Sequence, residues 1–106
     1  MNVFVCLTLI APRSLRDELF DYLSGQEDIV SGFTASEAAG HGRDAKLQTP
    51  AERVRGEAEE VLVRMILREP DATRLLDRLK EAFAGSRLVY WLMPVTQFGL
   101  IDGPES

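Results

Sequence analysis

Apolar residues along this chain are arranged in two ways: dense runs that read as strands, and stripes of helical period between them. Asn2 to Ile10 is a strand of β-branched and apolar residues without clean alternation. Val3, Val5, Leu7 and Leu9 point one way and Phe4, Cys6, Thr8 and Ile10 the other, so burial is expected on both faces. Pro12 punctuates, and Ser14 with Asp17 has the spacing of a capping box for a helix running to about Ser24. Leu15, Leu19, Tyr22 and Leu23 form its apolar stripe, with Gly25 just past its end. Phe33 to Ala39 is a more polar strand of edge character. Glu60 to Arg68 is a third strand, with Val61, Val63, Met65 and Leu67 on one face and Leu62, Arg64, Ile66 and Arg68 on the other. Pro70 and Asp71 open a second helix, whose inward stripe is Ala72, Leu75, Leu76, Leu79, Ala82 and Phe83. Leu88 to Met93 is the last strand, apolar on both faces and stopped by Pro94.

The order β-α-β-β-α-β predicts an α+β, ferredoxin-like domain: a four-stranded antiparallel sheet with two helices on one face. Residues 1–99 form this domain, with a long loop at 40–57, and residues 100–106 a C-terminal tail, partly disordered at its end. Two helices cover one face, yet the first and last strands are apolar on both. Self-association through the sheets is the economical way to cover the second face. Tyr90 and Trp91 are expected to pack in the core and the subunit interface, and Arg64 and Arg68 to form salt bridges between subunits.

Composition narrows the function. With 106 residues there is room for one core, and no apolar run is long enough to cross a membrane. No basic residue precedes the first apolar run, and Cys6 is the only cysteine, which together point to a reducing, cytoplasmic setting. A net charge of −5 argues against nucleic acid as a partner. Between His41 and Gly56, Arg43, Lys46, Arg53 and Arg55 outnumber Asp44 and Glu52, giving +2 against −7 for the rest of the chain. Lys46, Arg53 and Arg55 are therefore candidates for docking a partner. Gly40 and Gly42 free the backbone around His41. Thr49-Pro50-Ala51-Glu52 is a helix-start signal, expected to form a single fragile turn.

His41, the only histidine, is a candidate metal ligand or a turn-supporting residue, and Glu37, Asp44 and Cys6 in no recognised ligand spacing are its available partners. Cys6 reads as a small core residue rather than a nucleophile. No pairing of nucleophile and base is visible, so no catalytic residue is assigned. The competing readings are a small cofactor-free oxygenase or isomerase, and a purely structural interaction domain.

Several segments together resemble the PII signal-transduction family. Ser31-Gly32-Phe33-Thr34-Ala35-Ser36-Glu37 followed by Gly40-His41-Gly42-Arg43 is similar to that family's second strand and loop entry, and Val54-Arg55-Gly56 and Met93-Pro94-Val95 also fit. Within the superfamily the likeness is closest to an uncharacterised family of bacterial PII-like proteins, some encoded beside heavy-metal efflux systems, and more distantly to CutA proteins. The resemblance implies a homotrimer with sheets inward and long loops outward. It also implies a regulator whose loop binds a target protein, such as a transporter or efflux component, in response to a small ligand or metal ion. Glu37, Gly40, His41, Gly42 and Arg43 would then lie at the ligand site. Three departures argue against nucleotide binding in the familiar mode. The turn Ala84-Gly85-Ser86-Arg87 lacks the glycine-rich phosphate run, Ala11 replaces the family's lysine, and no arginine follows Arg87.

Overall fold

The computed structural model describes residues 3–41 and 47–102, with the backbone alone for Val54 and Arg55. Strand β1 spans Phe4–Pro12 and is followed by a 3₁₀ turn at Arg13–Leu15 and helix α1 at Arg16–Ser24. Then come β2 (Thr34–Gly40), a short helix α2 (Pro50–Arg55), β3 (Ala58–Arg68), α3 (Glu69–Ala82) and β4 (Val89–Val95). The sheet order is β2-β3-β1-β4 and every neighbouring pair is antiparallel, the expected ferredoxin-like arrangement with β2 at an edge.

The ladders run without a bulge, so alternation assigns the faces directly. Val5, Leu7, Leu9 and Ala11 of β1 and Val61, Val63, Met65 and Leu67 of β3 are buried with Leu19 and Leu23 of α1 and Ala72, Leu75, Leu76 and Leu79 of α3. Phe83 just past α3, with Ile29 and Val30 in the connection after α1, completes this core. The last two had no periodicity to announce them.

Several boundaries depart from expectation for identifiable reasons. Ser14 does not cap α1: the chain enters through the 3₁₀ turn, Leu15 occupies the cap position without a side-chain bond, and the Ser14 hydroxyl donates to Gln48 Oε1 at 3.1 Å. Pro94 does not end β4. It pairs with Val5 inside the strand, which an edge position permits because one side of β4 needs no donor. Ala82 is exposed rather than inward. Tyr90 and Trp91 are not core residues within the chain, being 44% and 37% exposed. Arg68 is bound locally, with Nε 3.5 Å from Asp71 Oδ2, so a salt bridge between subunits is not needed to satisfy it.

Candidate functional site

The loop after β2 is built more firmly at its far end than a fragile turn. Thr49 caps α2 by accepting from the Glu52 amide at 3.1 Å, and Glu52 returns the bond through Oε1 to the Thr49 amide at 2.8 Å. Pro50 sits in the first turn, where its missing N–H costs nothing, and Gly56 closes the helix at φ 71°, a left-handed conformation suited to glycine. Glu52 does more than complete the box. Its Oε1 also accepts from the Gln48 amide at 2.7 Å, and its Oε2 from the amide of Glu59 on β3. Glu52 is 3% exposed, and the donated N–H groups, that of Glu59 foremost, hold its carboxylate below the usual range. One side chain thus ties the returning loop to the sheet.

Beside this tie lies a cleft of about 660 Å³ at the end of the sheet, where β1 finishes and β3 and β4 begin. His41 and Gln48 line it from the loop, Ser14 and Leu15 from the turn after β1, Glu59 and Glu60 from β3, and Gly85, Ser86 and Arg87 from the turn before β4. That last turn is unusual in its backbone. Gly85 has φ 81° and Arg87 φ 62°, the latter a non-glycine residue in the sparsely populated left-handed region.

Charge in and around the cleft is mixed. His41 Nε2 stands 3.5 Å from Glu57 Oε1, an ion pair when the ring is protonated. Arg13 bridges Glu37 at 3.2 Å and Glu59 at 3.7 Å, joining β2 to β3. Glu60 lies over Gly40: a Cβ there would stand 2.0 Å from Glu60 Oε1, so the glycine provides the carboxylate's space. Partial burial, reinforced by the nearby Glu52 charge, raises Glu60 above its ordinary value.

Of the residues singled out from sequence, His41 lines the cleft and Gly40 adjoins it beneath Glu60. Glu37 does not line it and is engaged by Arg13 instead. Gly42, Arg43 and Lys46 lie outside the described residues, as does the side chain of Arg55, while Arg53 is exposed on α2. His41 meets neither Glu37 nor Cys6. Among the described residues no three metal-binding side chains converge, so His41 would hold a cation only with donors from elsewhere. Sequence reasoning missed Gln48, Glu57, Glu59 and Glu60. The acidic run Glu57, Glu59, Glu60 was the available signal, but a charge run at a strand start reads equally as a solvated face.

A family model described as a protein of unknown function, DUF3240, matches residues 1–102. The chain belongs to the DUF3240 family. A crystal structure of a DUF3240 protein from Shewanella baltica OS155 superposes with a TM-score of 0.76 at 22% identity, covering 96% of this chain and 100% of that one. A nitrogen regulatory PII-like protein from Thiomonas intermedia K12, solved bound to ADP, AMP and bicarbonate, gives 0.68 at 16% identity, covering 93% and 97%. A putative PII-like signaling protein from Thermus thermophilus gives 0.62 at 18% identity over 90% and 91%. No curated protein matches the chain. The DUF3240 chain therefore has a PII-like fold.

Proposed function

We propose that this DUF3240 chain is a cytoplasmic, homotrimeric PII-like regulator. Its cleft takes a small ligand or metal ion, and its loop carries the occupancy to a target protein such as a transporter or efflux component. The observation that carries the reading is the composition of the cleft. His41 and Gln48, the described residues flanking the centre of the loop, share its lining with the turn before β4 and the start of β3. A ligand touching all three would alter the freedom of the loop, because Glu52 fastens the loop to the same end of β3. The exposed cation Arg53 on α2 then offers the partner a basic contact, with Lys46 and Arg55 in the same stretch of sequence.

Ligand class is open to direct test. The mixed lining, with two glutamates beside Arg87, is poorer in phosphate-directed donors than a glycine-rich turn would be. The panel is ADP, AMP and bicarbonate, taken from the Thiomonas intermedia protein, together with zinc, copper and nickel ions. Hydrogen exchange of residues 47–59 and thermal stability are followed for wild type and His41→Ala. A ligand that slows exchange across 47–59 in wild type, at least threefold less in the variant, supports the reading. If no member of the panel changes exchange or melting, this ligand assignment is overturned.

A further inference from the structure

The sheet face away from the helices is formed by alternate residues of all four strands. Its centre is apolar, with Ile10, Leu62, Ile66, Trp91 and Met93, of which Met93 is 55% exposed, while Phe4 at its edge meets Phe98 of the same chain at 5.7 Å between ring centroids. Register places only three charged side chains on this face among the described residues, all on β3: Glu60, Arg64 and Arg68. Arg68 is held by Asp71. Glu60 and Arg64 have no ion partner among the described residues. They lie four residues apart on one strand, roughly 14 Å at ~3.4 Å per residue, with Leu62 between them. Within one chain they do not meet.

We infer that this face binds a second copy of the same chain, registered by an ion pair between Glu60 of one protomer and Arg64 of its partner. The inference rests on the self-association proposed above and adds the contact that sets its register. Covering the apolar centre removes water from Arg64, and a buried guanidinium left without an anion is strongly disfavoured. An occupant carrying only anions would satisfy Arg64 and repel Glu60. An apolar surface or a lipid would strand both. The occupant must present a cation and an anion at the reciprocal spacing, and this face is itself such a surface. The position of Glu60 agrees: Gly40 gives its carboxylate room on this face, and partial burial already disfavours its charged form, a cost that a facing arginine removes.

The experiment uses two charge reversals of the full chain, E60K and R64E, with native mass spectrometry and light scattering, and circular dichroism to confirm folding. E60K leaves two cations and R64E two anions at the pairing positions. Each alone should dissociate at least tenfold more readily than wild type, and an equimolar mixture should form mixed oligomers that dissociate less readily than either variant alone, because unlike neighbours restore the pair at two of the three interfaces of a trimer. If both variants keep the wild-type mass and dissociation, the pairing is wrong while self-association stands. If wild type itself is monomeric at tens of micromolar, the assembly and this inference fall together. Should a reversal not fold, E60Q and R64Q supply the same readout. Each should weaken association, and unchanged association in both overturns the pairing.

Discussion

The hold of α2 on the sheet can be tested at a single hydroxyl. The helix has six residues, so it spans about 9 Å and would not persist alone in water. Its exposed Ala51 and Arg53 contribute little burial, and the buried side chain described on it is that of Glu52. Through its described side chains the helix is held by polar bonds, of which the Thr49 cap is one. Thr49→Ala removes the acceptor for the Glu52 amide, a loss of about 1 kcal/mol for a helix cap. At room temperature that is about a fivefold rise in the open population. Native-state hydrogen exchange should show the amides of Glu52, Arg53, Gly56 and Glu59 exchanging about five times faster, while those of Leu7 and Val63 in the central strands keep their rates. Thr49→Ser should restore the wild-type pattern, since the acceptor returns. Unchanged exchange in Thr49→Ala would show that the cap bond does not hold the helix. Equal acceleration of Leu7 and Val63 would show that α2 opens only with the whole domain, which would refute the idea of a separately regulated loop.

Other perturbations follow from the same structure. Glu52 is depressed below its ordinary value of 4.5, so its stabilisation is present above that pH and is lost as pH falls through the lower folded value; protection of residues 48–59 should disappear in that window, and Glu52→Gln should abolish the dependence. Glu60 is raised, so its contribution is present below its ordinary value of 4.5 and is lost as pH rises through the higher folded value; under conditions where the chain is monomeric, Glu60→Gln should flatten this fall in a pH series of urea melts. Leu75 is wholly buried between α3 and the sheet, and Leu75→Ala should cost about 2–5 kcal/mol in chemical denaturation; a loss under about 1 kcal/mol would mean that the core packs differently. Thr8 is 1% exposed and its hydroxyl has no hydrogen-bond partner among the described residues, so Thr8→Val, of similar shape, should raise stability by about 1 kcal/mol, and a lower melting temperature would reveal a partner for it.

The sequence alone determined the element order, the antiparallel sheet and the edge position of β2. These follow from periodicity, and a period of two or of 3.6 is a local property that survives into the folded chain. The second face, away from the helices, was legible for the same reason: Phe4, Cys6 and Ile10 alternate with the core residues, whatever packs above them. The Thr49 cap was also legible, because a capping box is complete within four residues. Its strength was not. The bond from the Glu59 amide to Glu52 closes seven residues of chain, and only the folded loop shows that one carboxylate serves three backbone donors. Tertiary structure likewise decided that Glu37 faces Arg13 and that His41 faces Glu57, since pairing between exposed charges depends on register across strands and not on spacing along them. It decided, too, that Pro94 stays in the sheet, because whether a missing N–H matters is settled by which strand lies on that side. The cleft belongs to the same class. Ser14, His41, Glu60 and Arg87 come from four separate stretches, and the ladder of β3 and β4 on β1 is what gathers them at one end of the sheet.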